Sequence, residues 1–297
     1  MHPDHQKYAK FNSRNRLEKS VNSLMGILQG IALDGTINAS EIALFKVWLE
    51  DHEEIKNLQP FTELIILIEM TLDDGVLAED ERQDIFWLCG RLLDSAIIDE
   101  KADIQRLHAI LGSICFDNTI TKEELSNLSL WMQDHEYLKK KYPYDEVESL
   151  ITSTMSDKVI DDIEQKRLIC FFNEFIPLLD GKTIIDPGIM IGGKVIGLCS
   201  VCPEIKFAGS RFCFTGASSR YTRDKLAEIA QKLGGEVTSS VSKNLDYLVI
   251  GAEGNPYWAF ACYGRKVEKA VEVRKSGGHL QIVHENDFHD AVADQRP

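Results

Sequence analysis

The 297-residue chain has no apolar run approaching the length of a membrane span. Its most hydrophobic piece, Leu64-Ile-Ile-Leu-Ile68, is closed by Glu63 and Glu69. The first residues, Met1-His-Pro-Asp-His-Gln-Lys7, lack the apolar core of a secretory signal. Together these absences lead us to expect a cytoplasmic protein with no membrane partner. Cysteines number seven, an odd count scattered over both halves, which fits reduced thiols better than a disulfide framework. No G-x-S-x-G, Walker A or H-E-x-x-H run occurs, so the expectation is no catalytic residue, no cofactor and no metal. Positive charge is also in short supply, with 33 Lys and Arg against 47 Asp and Glu and a net charge of −14. The deficit is uneven. From residue 206 onward, 13 basic residues outnumber 11 acidic ones, whereas before it 20 basic residues stand against 36 acidic. Phosphate backbones are repelled by the first part and tolerated by the second, so any nucleic acid belongs to the C-terminal third.

What the chain does have is an internal repeat. Asp34-Gly35, Asp74-Gly75, Asp117-Asn118 and Asp157-Lys158 recur at intervals of 40, 43 and 40 residues. Three positions after each Asp stands an aliphatic residue (Ile37, Leu77, Ile120, Ile160), and seven after it a glutamate (Glu41, Glu81, Glu124, Glu164). Fourteen after it stands a large apolar residue (Trp48, Leu88, Trp131, Phe171), read as core. A period near 40 suits one helix–turn–helix per copy. The acids do not fit a calcium loop. Thr36, Val76, Thr119 and Val159 occupy the third loop position, and the glutamate comes too early. Asn38 to Glu41, Thr121 to Glu124 and Asp161 to Glu164 instead have capping-box spacing, with a hydrophobic staple between Ile37 and Ile42 and between Ile120 and Leu125. The Asp-Gly pairs then end the preceding helix in a left-handed turn. These signals give an acidic all-α domain over 14–178, read as a docking or oligomerisation platform that recruits a protein partner. A homodimer is left open.

Residues 179–205 break the helical period. Asp180-Gly181, Pro187-Gly188 and Gly192-Gly193 signal turns between aliphatic, strand-like stretches, which predicts a small hairpin. Cys199-x-x-Cys202 is half of a zinc or redox motif. Without two more ligands at recognisable spacing, both are read as small buried residues.

From 206 to 293, strands and helices alternate. The pattern predicts strand 211–214, helix 222–234, strands 236–238 and 246–250, helix 264–275, strand 280–283 and helix 285–293. Such alternation argues a parallel sheet with helices on its faces. The combined motifs are Phe212-x-Phe-Thr215-Gly216, Leu233-Gly-Gly-x-Val237, Ser242-x-Asn-x-Asp246-Tyr-Leu-Val-x-Gly251 and Lys266-x-x-Lys269-Ala. Together they resemble a BRCT domain, the module at the end of NAD-dependent DNA ligases and in the large subunit of eukaryotic clamp loaders. The resemblance covers under a third of the chain. The fold class is therefore multidomain, an all-α helical-repeat domain followed by an α/β BRCT-like domain with a four-stranded parallel sheet. The D-G-x-I-x-x-x-E repeat of the first part is also faintly similar to TerB-like helical domains, some of which are thought to bind metal. No metal site is carried over from them, and a metal-responsive stress protein stands as the alternative reading.

The BRCT resemblance implies a phosphate site. In phosphate-binding members a Thr or Ser and the next Gly close the first strand, and a Lys at the start of the second helix completes the pocket. Those positions match Thr215, Gly216 and Lys266. An Arg at the start of the first helix, which contacts a DNA 5′-phosphate in the clamp loader, matches Arg223. A hydroxyl, a backbone N–H, a helix N-terminus and two cations suit a dianion. An insertion, Glu253 to Gly264, precedes the second helix. Its Tyr257 and Trp258, with Phe260, could stack on a base or a partner peptide or else cover the sheet edge. Lys269 is the fallback should the insertion shift the alignment of Lys266, and it is also a candidate partner contact. The adenylating lysine of DNA ligases lies in K-x-D-G, and the nearest match here, Ala32-Leu-Asp-Gly35, lacks it. The expectation is a non-catalytic adaptor in DNA repair, replication or defence, whose partner is a DNA 5′-phosphate end or a phosphorylated protein.

Overall fold

The computed structural model describes residues 13–31, 39–52, 61–74, 78–81, 83–84, 87, 99–155, 159–175, 189–191, 194–196, 199–200, 203–252 and 264–295. The chain divides into two compact units, one spanning Arg14–Leu178 and the other containing Leu179–Pro297.

The first unit is helical. Its described elements are α1 (Ser13–Ile31), α2 (Ala39–Asp51), α3 (Phe61–Asp74), α4 (Glu100–Ile114), α5 (Lys122–Asp134), α6 (Tyr144–Thr154) and α7 (Asp162–Phe172). The repeated glutamates act as caps. Glu124 Oε2 accepts from Thr121 N at 2.7 Å while Thr121 Oγ1 accepts from Glu124 N at 3.1 Å. Glu164 and Asp161 exchange the same pair of bonds, at 3.1 and 2.7 Å. In the second copy Glu81 reaches back to Ala78 N at 2.9 Å. Each bond satisfies a helix-terminal amide with no partner inside its own helix. The first box, Asn38 to Glu41, lies outside the described side chains. Asn118 carries the left-handed turn at φ 62°, and Asp117 supports it by accepting from Thr119 N at 2.8 Å. The pairs Asp34-Gly35 and Asp157-Lys158, and Gly75, lie outside the described residues.

Trp48 and Phe171 are buried as the period requires, whereas Trp131 is half-buried and Leu88 lies outside the described residues. Trp48 and Trp131 share a local arrangement. Each stacks on a histidine four residues later, His52 or His135, at centroid distances of 4.3 and 3.8 Å. Each histidine Nδ1 lies 2.7 Å from the same tryptophan's carbonyl oxygen, which can only accept, so the ring donates from Nδ1. Helices α1 and α4 approach closely through Gly26 and Gly30, where an added Cβ would collide with Arg106, Ala109 and Ser113. A polar network runs along the same seam, from Gln105 to Asn22 at 2.8 Å, to Arg106 at 3.3 Å and on to Asp103 at 2.9 Å. Two stability effects follow from this unit. Thr121→Ala removes one cap bond and is expected to cost about 1 kcal/mol, read as a lower urea midpoint of the full chain. Burial also drives His108 from its ordinary value of 6.5 down to about 3. A depressed folded value means the stabilisation is whole above the unfolded value and lost as pH falls through the folded one. Stability should therefore decline from pH 6.5 downward, by roughly 3 kcal/mol at pH 4. The slope of urea midpoint against pH should flatten in His108→Gln.

In the second unit, β1 (Ile189–Ile191) and β2 (Lys194–Ile196) form the expected hairpin, antiparallel with Met190 opposite Val195. Cys199 is buried and Cys202 lies outside the described residues. The remaining order is β3 (Arg211–Thr215), α8 (Arg223–Lys232), β4 (Glu236–Val237), β5 (Tyr247–Ile250), α9 (Arg265–Lys275), β6 (Gln281–His284) and α10 (Glu285–Asp294). The four strands pair in the order β4-β3-β5-β6, all parallel. Gly234 ends α8 at φ 89°, which lets Gly235 N return to Ala230 O at 2.9 Å. On one face Phe212, Phe214, Tyr247, Val249 and Val283 pack with Leu226 and Ala230 of α8 and Phe288 and Val292 of α10. By the two-residue pleat, Cys213, Leu248, Ile250 and Ile282 point the other way, and all are fully buried. The buried stripe Val267, Ala270, Val271 and Val273 assigns α9 to that second face.

Candidate functional site: the carboxyl edge of the sheet

The strand order decides where a site can form. From β3 the chain crosses to β4 on one side, and from β5 it crosses to β6 on the other. Right-handed crossovers in opposite directions put their helices on opposite faces. The carboxyl ends of these two adjacent strands are therefore where a sheet of this order forms its ligand crevice. Thr215, the last residue of β3, sits at this point, and Gly251 directly follows β5. Gly251 N donates to Thr215 O at 2.9 Å. A Cβ on Gly251 would collide with the Ala217 carbonyl, so glycine alone lets the two loops touch. Gly216 adopts φ 76°, in the left-handed region that glycine enters without strain.

Both cations implied by the resemblance reach this crevice. Lys266, half-buried in the first turn of α9, donates from Nζ to Phe214 O at 2.9 Å. Arg223, the first residue of α8, donates from an Nη to Gly216 O at 3.3 Å. The two helices thus bring positive charge to the carbonyls on either side of Thr215. Thr215 itself is 6% exposed, and its hydroxyl has no hydrogen-bond partner among the described residues. Lys269, the fallback, does not join them. It is exposed and paired with Glu272 at 2.7 Å. Tyr257, Trp258 and Phe260 lie outside the described residues.

Helix α9 begins in a way that fits an anion. Its N-cap is Gly264, which gives no side-chain cap, and its first two residues are Arg265 and Lys266. Cations next to the positive end of a helix dipole are unfavourable by a few tenths to about 1 kcal/mol each. An anion held by the same residues reverses that sign.

The sequence reasoning missed Glu285. This first residue of α10 is fully buried, and its Oε1 accepts from Ser219 N at 3.0 Å, Ser219 Oγ at 2.8 Å and Ala252 N at 2.9 Å. Burial pushes its carboxyl up, but bonds from Ser218, Ser219 and Ala252 outweigh that and hold it below the usual carboxylate value. Oε2 lies 3.9 Å from His289 Nε2, one helical turn on, and burial lowers the His289 value. No sequence signal marked Glu285, because a glutamate at the start of a helix reads as an ordinary dipole or cap residue.

Comparison with known proteins agrees with this geometry. Residues 202–274 match the family described as BRCA1 C Terminus (BRCT) domain. The second unit thus carries a BRCT domain. The chain is 39% identical over 82 residues to the DNA ligase of Fusobacterium nucleatum, covering 28% of this chain and 10% of that protein. It is 35% identical over 89 residues to the DNA ligase of Thermosipho africanus, covering 30% and 11%. With the DNA ligase of Alkaliphilus oremlandii the figure is 38% over 131 residues, covering 43% and 18%. The chain spans between a tenth and a fifth of the length of these relatives. No solved structure matches it.

Replacing Gly251 by Ala is expected to force the β3 and β5 loops apart. Overpacking of this kind costs about 1–3 kcal/mol, and a lowered thermal midpoint of the full chain would show it. An unchanged midpoint would mean that the contact with Ala217 relaxes freely.

Proposed function

We propose that the BRCT domain binds a terminal phosphate on a DNA 5′ end, and that the protein is a non-catalytic adaptor in DNA metabolism. The observation carrying this reading is the placement of Lys266 and Arg223, from helices on opposite faces of the sheet, on the carbonyls flanking Thr215. These carbonyls hold the ammonium and guanidinium groups on either side of Thr215. A phosphate dianion arriving there receives charge-assisted bonds from groups already in position, so little side-chain entropy is lost. The similarity to DNA ligases, confined to a short part of their length, supports a DNA-metabolic setting. In this reading the acidic helical unit recruits a second protein, and its net negative charge keeps nucleic acid on the BRCT domain.

The test is binding of a recessed duplex bearing either a 5′-phosphate or a 5′-hydroxyl, measured by fluorescence anisotropy. The wild type should prefer the phosphate. A charge-assisted hydrogen bond contributes about 1.5–3 kcal/mol, so Lys266→Ala should weaken phosphate-end binding about ten- to a hundredfold. Its salt slope should become shallower by about one unit. Thr215→Ala should cost less and leave the salt slope unchanged. Equal binding of both ends by the wild type would reject a DNA-end role, and a preference for phosphorylated peptides in its place would move the same site to a protein ligand.

A further inference from the structure

We propose that Glu285 is a positioning residue for the phosphate site. It makes no contact with ligand, but ties the loop after β3, which carries Gly216, to Ala252 at the end of β5, beside Thr215. The inference rests on the phosphate reading above and adds a residue from a third segment of the chain. Glu285 follows β6 directly, so its carboxylate emerges at the same carboxyl edge as the ends of β3 and β5. One oxygen, Oε1, takes the Ser219 amide and hydroxyl from the loop after β3, and the Ala252 amide from the loop after β5. The β3 loop is folded on itself at the same place, where Ser218 Oγ lies 3.2 Å from Arg220 N and 3.3 Å from Tyr221 N.

This arrangement has a consequence for recognition. The amides of Ser219 and Ala252 are spent on Glu285, and those of Arg220 and Tyr221 on Ser218. These donors are withdrawn from any incoming anion, which is left with the Thr215–Gly216 end of the loop. A carboxylate with no exposure would be very costly without its donors. The three bonds therefore stand or fall together, and the loop has one favourable conformation. Loss of the carboxylate would free the 216–222 segment and let Ala252 drift from the loop after β3. Glu285 thus converts separate loops into one pre-formed cradle.

The experiment compares Glu285→Gln with wild type, using the duplex probe with a 5′-phosphate and with a 5′-hydroxyl. Glutamine keeps the shape and one oxygen for the three donors but removes the negative charge, so the bonds lose their charge-assisted strength. The preference for phosphate over hydroxyl is expected to fall about tenfold, with the salt slope unchanged because no phosphate contact is removed. Amide exchange at Ser219 and Ala252 should accelerate while the β3–β5 ladder stays protected, a pattern that general loss of stability would not give. Ser219→Ala keeps the buried carboxylate and removes one exposed hydroxyl, so it covers the case in which Glu285→Gln does not fold. It should lower the preference about threefold. A folded Glu285→Gln with full wild-type preference overturns the inference and leaves the phosphate reading intact. An unchanged preference in Ser219→Ala, where only that variant folds, has the same effect. A wild type that binds both ends equally overturns the phosphate reading and this inference with it.

Discussion

Adjacent parallel strands whose connections depart in opposite directions cannot be covered at their carboxyl ends by their own loops. In this protein β3 and β5 are such a pair, and much of the second unit is arranged around the gap they leave. The pair is central in the sheet, so its register is fixed by four consecutive residue matches, from Phe212 opposite Tyr247 to Thr215 opposite Ile250. A slip by one residue would turn Phe212 and Phe214 out of the core shared with α8 and α10. The same register that buries the phenylalanines sets Thr215 level with the end of β5. Packing and site geometry are therefore one constraint. A substitution that disturbs the core should shift the hydroxyl as well.

Electrostatics at this edge are local rather than global. The BRCT portion is nearly neutral, so it has little long-range pull on a polyanion. What it has are two helix N-termini that begin with cations, Arg223 on α8 and Arg265-Lys266 on α9. Lys266 rests on a backbone carbonyl, a weak partner compared with a carboxylate, and so it can be recruited by a phosphate at small cost. Lys225, Lys232 and Lys269, by contrast, are engaged by Glu228 or Glu272 at 2.6–2.8 Å. Those pairs are exposed and contribute little to stability. They do keep stray positive charge from competing for the ligand.

Much of this was legible in the sequence, and the reasons differ by region. The parallel sheet could be read because strand runs such as Tyr247–Ile250 are wholly buried and apolar, while Gly251 closes β5 and Gly234 the helix before β4. The glutamates of the helical repeat could be read because a capping box is local, spanning four residues with a fixed spacing. Non-local pairings escaped. The seam of Gly26 and Gly30 against α4 depends on a helix some 80 positions away, as the Asn22–Gln105 bond does. Glu285 is a sharper case, because its partners lie 66 and 33 residues upstream. Nothing in its neighbours Asn286 and Asp287 hints that it alone of the three is fully buried. The choice of Lys266 over Lys269 could not be secured from spacing, because the insertion that ends at Gly264, two residues before the first and five before the second, disturbs the alignment.

In the proposed reading, the uneven charge of the chain bears on how salt affects binding. Close to the site, salt weakens binding by competing for the phosphate contacts of Lys266 and Arg223, in proportion to the number of counterions released. The excess of acidic over basic residues before position 206 repels any polyanion over a range set by the Debye length, about 10 Å at 0.1 M salt. Added salt screens this repulsion and so favours binding. The two effects oppose, and the net salt dependence of the full chain should be shallower than its phosphate contacts alone would give. A mild dependence therefore should not be taken as a sign of few contacts.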